Sequence, residues 1–394
     1  MIHQDYNKLK RKQKRFLKKR NKIDLTYNNG IYNRYKNPVV TRNHVPLDWR
    51  YDLSLKTNPF FMERLMVNAT FNSGAIYFNG YFYLMIRLEG ADRKSIFALA
   101  KSKSGIDRFE FERIINFPNA DQAETNRYDM RLVHHEDGFI YGIFCAEKQD
   151  STAADTHTAI AETGFVRTKD LINWERLPNL KSKFSHQRNI VLHPEFVNNK
   201  YVLYTRPQDD FIEAGTKAGI YLGELKDMKN PNLPEEHLIH EKRYHTVYEL
   251  KSGQGPQPIK TKLGFIHLAH GVRNTAAGLR YVLYVFATDL NDLTKVIARP
   301  SGYFLAPLGK ERVGDVSNVV FSNGWIVKDE KVYIYYASSD TRVHVATTTL
   351  EKLIDYTFNT PEEVFISLES AEQRIELINK NEKLLKKLKG NKIS

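Results

Sequence analysis

Residues 74–87 read Gly-Ala-Ile-Tyr-Phe-Asn-Gly-Tyr-Phe-Tyr-Leu-Met-Ile-Arg. Apolar and aromatic residues run up to Asn79-Gly80 and resume after it. A two-residue Asn-Gly joint between two such runs signals a β-hairpin, because both positions accept positive φ. Four more segments share the form: 132–145 turning at Asp137-Gly138, 194–207 at Asn198-Asn199, 259–271 at Leu263-Gly264 and 319–338 at Asp329-Glu330. The turns fall at 80, 138, 199, 264 and 330, with spacings of 58, 61, 65 and 66 residues. A near-constant period in a strand-rich chain means one supersecondary unit repeated. A weaker pair of runs follows the hairpins, such as 95–101 with 109–114 and 164–168 with 174–177. Four strands per period make a propeller blade, and five periods predict an all-β, five-bladed β-propeller. A many-stranded sandwich is the competing architecture, and it predicts no such period.

Helices are expected only at the ends. One is expected over 8–22. Another is expected from Thr360-Pro361-Glu362-Glu363, which has an N-cap residue, a proline at the first helical position and a glutamate three residues on. Ser370 and Gln373 repeat the capping spacing, and Ile375, Ile378 and Leu385 fall near one face beyond them. The chain therefore divides into a basic N-terminal extension (1–30), a propeller domain (31–356) and a C-terminal helical extension (357–394).

The 394 residues are 41% hydrophobic and 27% charged, enough for a sizeable core. No apolar run approaches the ~18–20 residues of a membrane span. The first residues are polar and basic, unlike a signal peptide. One cysteine, Cys145, excludes an internal disulfide framework and a cysteine zinc cluster. A cytoplasmic protein with no membrane partner is expected. The net charge of +13 is unevenly spread: +9 in 1–22, +5 in 380–394, and −1 in the body between. A nucleic-acid reader carries its basic face on the folded body, so no nucleic-acid partner is expected.

In a propeller the innermost strand of each blade opens onto one face, where a ligand can touch every blade. Each expected inner strand starts with polar residues: Asn68-Ala69-Thr70 and Asn72; Tyr128-Asp129-Met130-Arg131; Gln187-Arg188-Asn189 with His193 and Glu195; Gln257-Pro258-Ile259-Lys260; and Gly314-Asp315-Val316-Ser317-Asn318. Arg93, Arg188, Arg206, Lys260 and Arg273 lie at such ends or in the loops after hairpins. Asn189, His270 and Tyr281 add neutral hydrogen-bonding groups. Convergent guanidinium and ammonium groups suit an oxyanion. Asp129, Glu195, Asp315 and Asp340 supply carboxylates. Metal binding is not indicated, since the adjacent His134 and His135 would point to opposite faces of a strand. No glycine-rich loop leads into a helix, which argues against a nucleotide enzyme. One carboxyl acid plus a cationic cradle fits glycoside cleavage by phosphate better than hydrolysis, which uses two carboxyl groups. Structural readings stand beside these. Asp129 could cap a turn, His270 could be a hydrogen-bonded structural histidine, Tyr281 could be core and Arg206 could be a strand-end surface residue.

Several stretches carry a family resemblance: Trp49-Arg50-Tyr51-Asp52-Leu53, Glu89-Gly90-Ala91-Asp92-Arg93-Lys94-Ser95, Tyr128-Asp129-Met130-Arg131-Leu132, Gln187-Arg188-Asn189, Leu192-His193-Pro194-Glu195-Phe196, Leu203-Tyr204-Thr205-Arg206-Pro207, Ala269-His270-Gly271-Val272-Arg273-Asn274, Gly314-Asp315-Val316-Ser317-Asn318 and Tyr336-Ala337-Ser338-Ser339-Asp340-Thr341-Arg342. In these, from about residue 30 to 356, the chain resembles glycoside hydrolase family 130, and within it the 4-O-β-D-mannosyl-D-glucose phosphorylases. The resemblance implies a five-bladed propeller and a reversible, inverting phosphorolysis of 4-O-β-D-mannosyl-D-glucose to α-D-mannose 1-phosphate and glucose. It implies Asp129 as general acid, with its proton passing through a hydroxyl of the bound mannose. It implies phosphate contacts from Arg188, Asn189, Arg206, Lys260, His270 and Tyr281, and mannose contacts from Asn68, Arg93 and Asp340. It implies no cofactor and no metal, inorganic phosphate being a co-substrate, and a homo-oligomer. Two other readings compete: a β-mannoside hydrolase with a second carboxylate such as Glu195, and a non-catalytic sugar-binding propeller. Within the phosphorylase reading, longer β-1,4-mannooligosaccharides are the alternative substrate.

Overall fold

A computed structural model of the chain describes residues 3–390 except 121, 153–157, 211–214 and 216–217. Five antiparallel blades follow one another along the chain, with helices at both ends. Blade one is Val67–Phe78, Tyr81–Gly90, Ser95–Ser102 and Glu110–Ile115. Blade two is Glu124–His134, Ile140–Gln149, Ala159–Thr168 and Glu175–Leu177. Blade three is Val191–Leu192, Tyr201–Thr205, Gly219–Leu225 and Glu236–Glu241. In blade four, Lys251–Gln254 and Ile259–Lys260 both pair with Phe265–Thr275, and Gly278–Thr288 and Val296–Ala298 follow. Blade five is Val320–Lys328, Lys331–Ser338 and Arg342–Thr349, completed by Asn33–Arg34 and Val40–Thr41 from the start of the chain. This last pairing closes the ring and covers the edge strand that blade five would otherwise expose.

The hairpin turns stand where the period puts them. Asn79 and Gly80 have φ of 46° and 79°, Asn198 and Asn199 51° and 59°, and Asp329 and Glu330 51° and 59°. Two consecutive positive φ values are what a two-residue hairpin turn needs. Buried apolar clusters fill the spaces between blades: Leu84, Ile86, Tyr335 and Val345 pack blade one on blade five, and Met85, Leu99, Met130 and Phe144 pack it on blade two. The inner strands converge on the axis and come close. A Cβ on Gly74 would lie 2.6 Å from the Met130 carbonyl, and one on Gly324 2.5 Å from Ala75. Glycine at these two positions permits that approach.

Each inner strand also carries extra residues against its partner. Phe71 pairs with Arg87 but Gly74 with Met85, so Asn72 and Ser73 face Ile86 alone. Tyr128 pairs with Cys145 and Arg131 with Ile143, leaving Asp129 and Met130 against Phe144. In blade three, 188–190 face two residues, and in blade five, Ser322 and Asn323 face Tyr336. Such bulges re-aim a side chain and twist the strand. Asn72, Asp129 and Asn189 accordingly have φ of 43°, 61° and 57°.

The terminal helices differ from expectation in their bounds. Helix α1 is Gln4–Leu17, with no buried residue. It is tied to the body by Gln13, whose Nε2 donates to the Val45 carbonyl at 2.7 Å. Helix α2, Leu350–Asn359, is capped by Thr349, and Thr360 closes it by donating its amide to the Tyr356 carbonyl. The expected helix start at Thr360-Pro361 is therefore a helix end: the helix begins at the end of the last strand, and a proline with no N–H is equally suited to follow a helix. Helix α3 runs Ser367–Gly390, beginning three residues before Ser370.

Candidate active site

A cavity of about 840 Å³ opens on the axis at the end of the blades opposite the five hairpin turns. All five blades line it. Asn72, Arg87, Glu89 and Arg93 come from blade one. Asn126, Tyr128, Asp129, Arg131, Cys145 and Glu147 come from blade two. Arg188, Asn189 and Arg206 come from blade three, Lys251, His270 and Tyr281 from blade four, and Phe321 and Asp340 from blade five with its loops. Five of these residues, Asn72, Arg93, Asp129, Asn189 and Asp340, sit at positive φ without being glycine. Backbone held in this region costs free energy, of order 1–3 kcal/mol per residue, and such residues cluster at functional sites.

The cavity is electrically divided. Arg131, Arg188, Arg206 and Lys251 stand on the side of blades two to four. Arg131 donates Nε to the Gly255 carbonyl at 2.8 Å, Nη1 to the Asp129 carbonyl at 3.0 Å and Nη2 to Asn189 Oδ1 at 2.9 Å. Arg206 donates to Gln208 Oε1. Among the described residues neither guanidinium donates to a carboxylate. Burial pushes both down to about 10, still well above neutrality. His270 is buried with both ring nitrogens unpartnered among the described residues, and burial with the cations Arg206, Arg131 and Lys251 holds it well below its usual value, so it is neutral. These two buried guanidiniums, Arg131 and Arg206, beside a neutral ring with free hydrogen-bonding capacity, suit an incoming oxyanion. Tyr281 stands over this group, with the Lys251 ammonium 6.0 Å from its ring centroid.

The other side carries the carboxylates. Asn72 Nδ2 donates to Asp129 Oδ1 at 2.9 Å, and Arg87 Nη1 donates to the same oxygen at 3.1 Å. Arg87 Nη2 donates to Glu89 Oε2 at 2.6 Å. Asp340 is pushed up to about 7, first by burial and then by the Asp129 carboxylate. An aspartate titrates near 3.9 in the unfolded chain. The folded state therefore holds this proton more tightly, and stability falls as pH rises from about 4 to about 7. Asp340→Asn is expected to raise the thermal midpoint relative to the parent at pH 8 and to leave it nearly unchanged at pH 4. Thermal melts at the two pH values check this, and a pH-independent difference would contradict it.

Eight of the ten expected site residues line this cavity: Asp129, Arg188, Asn189, Arg206, His270, Tyr281, Arg93 and Asp340. Two do not. Lys260 is exposed and ion-paired with Glu195 at 2.6 Å. It stands at the hairpin-turn end of the inner strand, opposite Phe265, whereas Lys251 stands at the cavity end, opposite Val272. Asn68 is exposed and donates to Asp315 Oδ2 at 2.7 Å. The bulge four residues later brings Asn72 to the cavity instead. Arg87, Glu89, Asn126, Arg131, Glu147 and Lys251 are lining residues that the sequence reading did not select. The hairpin pattern held a signal for Arg87, Glu89 and Glu147, because the second strand of each hairpin returns to the same face.

The model for glycoside hydrolase family 130, described as β-1,4-mannooligosaccharide phosphorylase, matches residues 32–359. The chain belongs to this family. A family 130 relative, the 4-O-β-D-mannosyl-D-glucose phosphorylase of Bacteroides fragilis, is 57% identical over 362 residues, covering 91% of this chain and 93% of that protein. The β-1,4-mannooligosaccharide phosphorylase of Ruminococcus albus is 29% identical over 78% of the chain and 90% of its own length. Among solved structures, the β-1,2-mannobiose phosphorylase of Listeria innocua superposes with a TM-score of 0.66 at 21% identity, covering 82% of this chain and 98% of that one. That likeness shows the shared propeller.

Proposed function

We propose that this family 130 enzyme catalyses the reversible, inverting phosphorolysis of 4-O-β-D-mannosyl-D-glucose to α-D-mannose 1-phosphate and D-glucose. The observation that carries the proposal is one cavity with a division of labour: Asp129 on the sugar side, and across from it a group of cations of which Arg131 and Arg206, among the described residues, donate to no carboxylate. Phosphate is held by Arg188, Asn189, Arg206, Lys251, His270 and Tyr281. The mannosyl unit lies against Arg93 and Asp340. A phosphate oxygen forms its bond to the anomeric carbon as the glycosidic C–O bond breaks, and the electron pair leaves on the glucose oxygen. A proton leaves Asp129, passes through a mannose hydroxyl and ends on that oxygen. Attack from the face opposite the leaving group turns a β-linkage into an α-phosphate. Inorganic phosphate is a co-substrate, and the reaction as proposed uses no metal or other cofactor.

The hydrolase reading loses its named second carboxylate, since Glu195 is paired with Lys260 outside the cavity. The proposal extends to a cytoplasmic homo-oligomer. Among the described residues no helix is long and apolar enough to cross a membrane. Incubating the disaccharide with and without phosphate tests the function. Glucose release is expected only with phosphate, and equal release in both tubes rejects phosphorolysis.

A further inference from the structure

Asp129 is held by one oxygen. Asn72 and Arg87 both donate to Oδ1, and among the described residues nothing donates to Oδ2. Arg87 is itself immobilised. Its Nε donates to Ser95 Oγ at 2.9 Å and its Nη2 to Glu89 Oε2 at 2.6 Å. Its guanidinium carbon lies 4.5 Å from the ring centroid of Phe71 and 4.7 Å from that of Tyr128. The bulge explains the convergence: Arg87 is the ladder partner of Phe71, and Asn72 is the next residue, so both donors leave blade one side by side toward blade two.

We propose that Arg87, helped by Asn72, is a positioning residue that confines the Asp129 proton to Oδ2. A neutral carboxyl has one O–H. Placing it on Oδ1 would crowd a proton onto an oxygen that already accepts two donors, one of them charge-assisted, weakening both and displacing at least one, whereas Oδ2 takes the proton with no loss. The proton then stands on the oxygen left for the sugar. As it departs, negative charge grows on Asp129, and a fixed guanidinium already faces that charge with no reorganisation. Other charges that act on Asp129 are Asp340, Arg131 and Arg188, together with Glu89, which tempers Arg87 from its other side. The inference rests on Asp129 as proton donor, and its test separates the two claims.

The test compares two substrates in the presence of phosphate: the natural disaccharide, and a β-mannoside of a strongly acidic phenol, whose leaving group departs without a proton. For Arg87→Met, kcat on the disaccharide is expected to fall ~10²-fold, the scale of a misplaced reacting group. The aryl mannoside is expected to lose less than about fivefold, because general-acid help is not needed there. The phosphate KM is expected to hold. Arg87→Lys, which keeps the charge but not the fork, is expected to recover part of the disaccharide rate. Equal losses on the two substrates would overturn the proposal and make Arg87 a sugar-binding or structural residue. Asp129→Asn is run on the same pair. If it discriminates between the substrates and Arg87→Met does not, only the positioning role fails; if it does not discriminate, the acid assignment fails and the positioning role with it. Should Arg87→Met not fold, Asn72→Ala removes the other donor from Oδ1 and carries the same comparison.

Discussion

Asp129→Asn is expected to lower kcat for the disaccharide by about 10²–10⁴-fold, the usual contribution of a positioned general acid. The amide is nearly isosteric with the acid, so phosphate should still bind with close to its original affinity. Asp129 already tolerates a left-handed backbone at φ 61°, and asparagine is a residue type suited to that region. The fold should therefore survive, and the loss should be chemical. Steady-state kinetics in both substrates, with a phosphate titration, measure this. Near-normal turnover would remove Asp129 from the mechanism.

The second large effect is at the cationic side. Arg206→Ala is expected to cost about 10–10²-fold in kcat/KM for phosphate, the value of a charge-assisted hydrogen bond to the bound anion. Lys251→Ala is expected to raise the phosphate KM by about 10–100-fold, the value of a hydrogen bond to a charged group. Lys260→Ala should change it by no more than about twofold, because Lys260 sits in an exposed ion pair with Glu195. Phosphate titrations of the three variants decide the matter. The ordering Lys251 over Lys260 is the sharp part: a large effect at Lys260 with none at Lys251 would contradict the cavity described above.

The same pair of lysines shows how far the sequence could be read. The repeat was legible because turn chemistry is local: Asn79-Gly80 and Asn198-Asn199 need positive φ, and few residues supply it. The polar start was legible for Asp129, because Glu124–His134 runs unbroken toward its hairpin, and for Arg188 and Asn189, because the break between Gln187 and Val191 is only three residues long. Blade four was misread because its inner strand is interrupted. Between the pairs Gln254 with Ala269 and Ile259 with Ile266, four residues on one strand face two on the other. The hairpin signal marks only the piece beside the turn, so the sequence reading took the start of that piece, with Lys260, for the start of the strand. Asn68 came from the family resemblance, while the polar start of blade one held both Asn68 and Asn72 without ranking them. Strand alternation assumes a period of two, and a bulge breaks that period where the side chain is re-aimed. Arg87 was signalled only by its place at the end of the first hairpin's return strand; its bond to Asp129 reaches across to another blade, which no local pattern shows. At the C-terminus, Thr360-Pro361 fits a helix start and a helix end equally well by composition. Pairing of Glu362 back to Pro300 selects the end.

Following the phosphate-containing reaction by NMR tests the central claim most directly. A first-formed sugar product that is α-mannose 1-phosphate, its anomeric proton split by phosphorus, is the result expected when phosphate attacks from the cation-lined side while Asp129 supplies the proton. Free mannose as the first product, or the β-phosphate, would contradict it.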